Sequence, residues 1–322
     1  MNNTACPLCQ RSESETLFEI PDSGGIKYLL SRCRNCDAVF TFFDEDVDVN
    51  EFYDGKDYTV KDTRDSIFFK IQKAEYGSVI NTIQNITNKQ TPSILDFGSG
   101  KGLFLHFAAL KGCQVKGIES SQPRAEYARK YFGLDINTDY YTSGSVFNSS
   151  FDVITMFHVL EHLSNPSELM GNLVKSNLKA GGLLIAEVPN FGSWQSHWAG
   201  NRWLHLDVPR HLTHFTDSSL EKIIDNAGCR IIKKEYYSIH LGIVGMVQSI
   251  FTWFGYKGFL IADLKENKSW VLLTMVLVVL PFAVLLEGLA VLFKKGGIIR
   301  CSAVYEPKNE QSLVHNKTDL SE

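Results

Sequence analysis

From residue 93 onward, short apolar runs alternate with stretches whose apolar positions recur every three or four residues. Short runs bounded by turn residues read as buried strands, and the periodic stretches between them as helices. That alternation is the pattern of a mainly parallel sheet with helices on both faces. The pattern predicts strands at 94–97, 115–119, 153–157 and 183–188, and two more at 231–237 and 298–305. Ahead of these a helical pattern runs to about residue 85, preceded by an acidic and aromatic stretch, 44–62, that carries Phe52, Tyr53 and Tyr58.

The pattern changes between the last two strands. Residues 270–293 are almost entirely apolar, with Glu287 the only charge and Pro281 near the middle, and as one helix they would extend about 36 Å. A helix with no polar face is a poor surface helix. Residues 239–262 are also apolar, with Trp253, Phe254 and Tyr256 suited to a membrane interface. If 298–305 returns to the sheet, both ends of the insertion lie on one side of a bilayer, which excludes a single crossing. A hairpin, a segment re-entering at Pro281 or an interfacial arrangement remain. Lys265 and Lys268 before the main stretch, and Lys294, Lys295 and Arg300 after it, put positive charge at both flanks, which favours a re-entrant or monotopic arrangement. The soluble alternative is a helical lid or a dimer face.

The expected organisation is therefore a cysteine-rich module at 1–45, connector helices at 46–92, and an α/β, Rossmann-like doubly wound domain at 93–237 plus 298–306. The apolar insertion occupies 238–297 and a polar tail 307–322. An apolar content of 44% over 322 residues supports a substantial core. A net charge of -4 offers no basic surplus for a nucleic-acid backbone. The first ten residues hold no basic segment followed by an apolar run, so a cytosolic start is expected, with its seven cysteines reduced. Cys6 and Cys9 form one Cys-x-x-Cys knuckle, and Cys33 and Cys36 another 23 residues on, with Gly24 and Gly25 marking a hairpin between them. Four thiolates complete a closed tetrahedral shell, so the reading is a zinc ribbon whose ion is structural.

The most informative segment is Asp96-Phe-Gly-Ser-Gly-Lys-Gly102, an apolar strand running into Gly98, Gly100 and Gly102 and then a helix at 103–111. Glycines there let backbone approach a ligand at a helix N-terminus. Asp96, before the first glycine, would gain nothing from a pyrophosphate. It suits a ligand carrying an ammonium group and a sulfonium. Glu119, 17 residues beyond Gly102, ends the second strand where an acid can accept from both ribose hydroxyls.

Through Asp96, Gly98, Gly100, Gly102, Glu119 and the stretch from Phe151 to His162, the sequence resembles the class I S-adenosylmethionine-dependent methyltransferase family. The resemblance covers 93–237 and a last strand, and it speaks for the cofactor, not the acceptor. It implies that the glycine loop holds the methionyl part, that Glu119 holds the ribose, and that Phe157 and His158 border the cofactor. Asp139 is the candidate for the adenine. A nicotinamide-dinucleotide domain and a non-binding relic are the competing readings.

Methyl transfer is an in-line displacement in which protein supplies alignment, dryness and, for a hydroxyl or carbon acceptor, a base. His158, His162, His197, His205, His211 and His214 crowd the carboxyl edge of the predicted sheet. The expected base is His211 or His214, with Asp207 orienting it and Arg210 available to an anionic group. The phrase 207–215 resembles a segment of bacterial methyltransferases of sugar and surface-glycan pathways, some of which methylate sugar carbons. The resulting expectation is an enzyme at the cytoplasmic face of a membrane, methylating a hydroxyl or carbon of a sugar, glycan or lipid-linked intermediate, with membrane contact through 239–262 and 270–293. Two alternatives are a zinc-ribbon RNA methyltransferase or RNA-binding module, and a membrane protein with a vestigial pocket.

Overall fold

The structure, a computed structural model, describes residues 5–21, 27–43, 60, 62, 64–266 and 269–307. Gly24, Gly25, Phe52, Tyr53, Tyr58, Lys268 and most of the polar tail lie outside them.

At the N-terminus β1 (Ser14–Pro21), β2 (Lys27–Cys33) and β3 (Val39–Phe43) form an antiparallel meander. Helix α1 (Ile67–Thr87) follows, capped by the Ser66 hydroxyl, which accepts from the Phe69 amide. Next come β4 (Ser93–Phe97), α2 (Leu103–Leu110), β5 (Gln114–Ile118), α3 (Gln122–Phe132), β6 (Ile136–Asn137) and β7 (Phe151–Phe157). Helix α4 (Pro166–Asn177), β8 (Leu178–Pro189), α5 (Trp194–Ala199), β9 (Thr213–His214), α6 (Asp217–Asn226) and β10 (Cys229–Glu235) continue the chain. Helices α7 (Ile239–Trp253), α8 (Leu260–Glu266) and α9 (Trp270–Leu292) precede β11 (Ile298–Tyr305).

The large sheet has the order β10-β11-β8-β7-β4-β5-β6. Its β4, β5, β6, β7 and β8 pair in parallel, and β11 runs antiparallel between β8 and β10. This is the doubly wound α/β fold expected. The chain steps outward from β4 to β6 and returns on the other side of β4, so the crevice lies beyond the carboxyl ends of β4 and β7. Strand alternation sends Leu95, Ile154 and Leu184 into a core with α4 and α6. Ile94, Val153 and Leu183 face α1, α2 and α3. Strand β6 escaped the sequence pattern because two residues carry no periodicity.

Two boundaries differ from the sequence reading. The N-terminal sheet has a fourth strand, β9, which pairs with β3 through Val39 opposite His214 and Phe40 opposite Thr213. The Thr41 amide donates to Leu212 O at 2.9 Å and Lys222 Nζ to Cys36 O at 2.7 Å. The cysteine module is thus sewn to the segment around Thr213 and His214, and a cut at residue 45 would divide one sheet. The second is β8, which begins at Leu178, ahead of the expected 183; α6, further on, opens with a capping box made by Thr216 and Ser219.

Helix α9 is the one described helix long and apolar enough to cross a membrane. It continues through Pro281 instead of breaking there. Ala283, Glu287 and Ala290 are its buried residues, and Glu287 accepts from the Gly297 amide at 2.9 Å and from Gln195 Nε2 at 2.6 Å. Trp270, Leu277, Phe282 and Leu285 are exposed.

Candidate active site

The three glycines following β4 differ in what they face. All have positive φ, at +73°, +55° and +74° for Gly98, Gly100 and Gly102. A Cβ on Gly98 would lie 2.3 Å from Val159 Cγ2, and one on Gly102 2.5 Å from Leu134 Cδ1, so packing alone excludes side chains there. A Cβ on Gly100 would meet nothing within 4 Å. The middle glycine therefore opens onto space that a ligand can enter.

Glu119 borders that space. Its Oε2 accepts from the Gly100 amide at 2.7 Å and its Oε1 from the Ser121 amide at 2.8 Å. Each oxygen keeps a lone pair, which matches two ribose hydroxyls. The Ser99 hydroxyl is buried and has no hydrogen-bond partner among the described residues. Asp96 is 3% exposed, and Thr155 Oγ1 of β7 donates to it at 2.7 Å. The donor set fits S-adenosylmethionine: carboxylates for its cationic end and ribose, and an uncrowded glycine turn between them.

Burial pushes the Asp96 carboxyl up, the Thr155 hydroxyl opposes this, and the charge of Glu119 adds to it, leaving Asp96 at about 7. An unfolded aspartate releases its proton near pH 4, so the folded protein holds an extra proton between those values. This contribution to stability is complete below about pH 4 and is lost as pH rises to about 7, at up to about 1.4 kcal/mol per pH unit. Asp96→Asn, locked in the neutral form, is expected to abolish that part of the slope. Urea unfolding of both proteins at pH 5 and pH 7 checks it; parallel slopes would place the raised carboxyl elsewhere.

Phe157 does not present its ring as an isolated wall. It packs at 4.8 Å from Phe104 and 5.7 Å from Tyr76, so its contacts run to α1 and α2. His158, with φ at +55°, turns the chain out of β7, and its Nε2 lies 2.9 Å from Glu187 Oε1. Burial works against its charge, but the carboxylates of Glu161, in ion-pair contact, and of Glu187, in a hydrogen bond, prevail and hold the imidazole up at about 10. Glu187 is also paired with Arg300, whose Nη2 lies 3.4 Å from Glu75 Oε1; Glu75 in turn bonds His240 Nδ1 at 2.7 Å. Sequence reasoning missed this buried chain, although a glutamate inside the apolar run of β8 and an arginine inside that of β11 were visible signals.

The histidines separate into two groups. His214, 3% exposed, lies in β9 with Nε2 at 2.9 Å from Thr41 Oγ1, and Thr41 also donates to His211 O at 2.8 Å. Burial pushes its imidazole down to about 3. It ties the cysteine module to the segment that carries His211, with its Nε2 engaged by Thr41. His211 stays beside Glu161, His162 and Asp207, but Asp207 does not orient it in the expected way. The His211 Nδ1 donates to His205 O at 2.9 Å, and Asp207 Oδ2 lies 3.7 Å from Nε2, the opposite side of the ring. Burial drives the His211 imidazole well down, which leaves it neutral. Arg210, expected to meet an anionic substrate, is paired with Asp207 at 2.6 Å. Asp139 sits two residues past β6, at the expected edge, and its amide donates to Asn137 Oδ1 at 2.7 Å.

The four N-terminal cysteines converge. Cys6 and Cys36 sulfurs are 3.5 Å apart, as are those of Cys9 and Cys33, and all four fall within 4.8 Å of one another. That is far too long for disulfides. It suits four thiolates around a tetrahedral zinc ion, whose sulfurs would stand about 3.8 Å apart at the usual Zn–S distance.

Comparison with known proteins bears on the same region. The Methyltransferase domain family matches residues 69–234. The mitochondrial ubiquinone biosynthesis O-methyltransferase of Schizosaccharomyces pombe is 32% identical over 102 residues, covering 30% of this chain and 37% of that protein. The ubiquinone biosynthesis O-methyltransferase of Azoarcus sp. is 25% identical over 150 residues, covering 43% and 64%. The chain thus spans less than two thirds of either relative's length. A crystal structure of an S-adenosylmethionine-dependent methyltransferase from Mesorhizobium loti aligns over 73% of this chain and 99% of its own, at 14% identity and a TM-score of 0.46. The family match extends over more than half of the chain and takes in the glycine turn, Glu119 and the corner after β7: the chain belongs to the methyltransferase-domain family.

Proposed function

We propose that this enzyme transfers a methyl group to a hydroxyl oxygen of an acceptor that carries an apolar tail and is met at the cytoplasmic face of a membrane. The observation that carries the reading is where the apolar hairpin is rooted. Glu235, the end of β10, pairs with Arg300, and Ile298, the start of β11, pairs with Pro189, the end of β8. Both ends of the insertion therefore stand at the carboxyl edge of the sheet, the edge that holds the cofactor crevice. A membrane engaged by α9 would bring lipid-tailed molecules to the rim of the site.

Several features support this. Trp253, Phe254, Trp270 and Phe293 are exposed around the hairpin. An open apolar groove of about 710 Å³ runs between α7 and α9, lined by Ile250, Phe251, Leu272, Met275 and Val279, and suits an isoprenoid-like chain. The names of the relatives specify O-methylation in ubiquinone biosynthesis, which favours oxygen over carbon as the acceptor atom. The head group is then a hydroxylated ring, phenolic or sugar. The zinc held by Cys6, Cys9, Cys33 and Cys36 is structural, and through β9 it steadies the segment that carries His211.

S-adenosylmethionine, when bound, supplies an activated methyl carbon. The chain aligns it: Glu119 fixes the ribose, the glycine turn the methionyl part, Asp96 favours the cationic end, and Phe157 with Tyr76 and Phe104 keeps one side dry. The hydroxyl proton passes to water on the side of the polar corner that carries Glu161, His162 and His211.

Flotation on phospholipid vesicles is the test. The wild-type protein is expected to rise with the vesicles, and a Leu277→Lys/Phe282→Lys/Leu285→Lys variant to remain at the bottom. Incubation with methyl-labelled cofactor and a total lipid extract should label an apolar product, with methoxyl chemistry on degradation. A wild-type protein that stays at the bottom, or label only in water-soluble product, would remove the membrane from the reading.

A further inference from the structure

We propose that Glu161, His162 and His211 form a site for a divalent transition-metal ion, separate from the four-cysteine centre and facing the acceptor side of the crevice. One ligand atom from each of the three lies within 4.8 Å of the other two. Glu161 is 1% exposed, and among the described residues neither carboxylate oxygen has a well-directed hydrogen bond, its one cationic neighbour at ion-pair distance being His158. A buried carboxylate without donors is costly, and its usual remedies are donors, a counter-charge or a metal. His158 Nδ1 stands 3.4 Å from one Glu161 oxygen, but the same imidazole bonds Glu187 at 2.9 Å, so one cation is shared between two acids.

The two rings are turned as metal-ligating histidines are. A carbonyl oxygen can only accept, so the His162 Nδ1 contact to Arg210 O, at 3.1 Å, and the His211 Nδ1 contact to His205 O, at 2.9 Å, fix the proton on Nδ1 in both. That tautomer puts the lone pair on Nε2, and a backbone carbonyl behind the ring is the common support of a ligating imidazole. The His211 lone pair then lies 3.7 Å from Asp207 Oδ2, a second carboxylate oxygen. Electron pairs converge from several sides, and a cation between them resolves the conflict. Arg210 meets Asp207 on its other oxygen, at 2.6 Å from Oδ1, and so does not stand between the donors.

Two imidazoles and one carboxylate select a borderline ion such as Zn²⁺, Fe²⁺ or Mn²⁺ over Mg²⁺ or Ca²⁺. Three protein ligands leave a position open, as in catalytic sites. The corner that carries them also touches the cofactor loop, because Val159 closes on Gly98. An acceptor hydroxyl bound at the open position would lose its proton to solvent more readily. Its oxygen would then form the new C–O bond as the methyl–sulfur bond breaks, the electron pair leaving with sulfur. The metal site stands or falls independently of what the acceptor is.

Metal counting on the full chain tests the site without any turnover. Purified protein equilibrated with Zn²⁺ and desalted is expected to hold two equivalents. Glu161→Gln/His162→Gln should keep one, and Cys6→Ser/Cys9→Ser should keep the other. Cobalt substitution identifies each: one Co²⁺ should show the intense near-ultraviolet band of thiolate ligation, and the second only weak visible bands of nitrogen and oxygen ligation. A single equivalent in the wild type, or two retained in the Glu161→Gln/His162→Gln variant, overturns the proposal. Should that variant not fold, the cobalt spectrum of the wild type decides, and absence of the second set of bands overturns it.

Discussion

Glu119→Ala is expected to weaken S-adenosylmethionine binding by roughly 100-fold. In the proposed pose the carboxylate would accept a charge-assisted hydrogen bond from each ribose hydroxyl, and such bonds contribute about 1.5–3 kcal/mol apiece when both partners are otherwise desolvated. Part of that is offset by water that enters the space left behind, so a net loss of about 3 kcal/mol is the expectation. A second effect points the same way. In the wild type the same oxygens hold the Gly100 and Ser121 amides, so the glycine turn is set before the ligand arrives. Glu119→Gln keeps an acceptor but loses the charge and one acceptor atom, and should fall between the two, near 10-fold. Titration calorimetry with S-adenosylmethionine and S-adenosylhomocysteine gives both numbers. A change under threefold in the alanine variant, or binding of a nicotinamide dinucleotide in preference, would sink the assignment of this crevice.

The cofactor half of the site was legible because its signals are local. Asp96, Gly98, Gly100 and Gly102 sit within one strand-to-helix turn, and the glycine spacing follows from the backbone having to reverse while staying clear of Val159 and Leu134. Glu119 follows by counting one strand onward. What was hidden depends on pairing between distant segments. Thr213 and His214 form a strand only because Val39 and Phe40 offer an edge, so nothing near His214 marks it as a tie to the cysteine module. The same holds for Asp207, whose placement on the Nε2 side of His211 is decided by the His205 carbonyl claiming Nδ1. Nothing local marks Glu161 either, because its burial and its sharing of His158 with Glu187 come only from the packing of the corner against β8.

The buried chain of charges makes the clearest case of information that resides in register. Arg300 of β11 lies directly opposite Glu187 of β8, and Glu75 reaches the same guanidinium from α1, 225 positions away in sequence. All three are buried, and the Glu75 carboxyl is held below its ordinary range: burial opposes this, but His240 outweighs it. Arg300→Met is therefore expected to destabilise the fold by about 3–5 kcal/mol, because it leaves two buried carboxylates sharing two imidazoles. The triple variant Glu75→Gln/Glu187→Gln/Arg300→Met removes the charges together and should recover most of that loss, since the desolvation of the ions disappears with their attraction. Urea unfolding at neutral pH measures both; an Arg300→Met loss below 1 kcal/mol, or a triple variant worse than the single one, would contradict the account. The reason to keep so expensive a cluster lies in what it connects. His158 ends β7 at the crevice and His240 opens α7 in the hairpin, so each elementary ion pair fixes one wall of the site against the element proposed to meet the membrane. In the triple variant, stability should return while S-adenosylmethionine affinity does not, because His158 has lost the carboxylate that aims it.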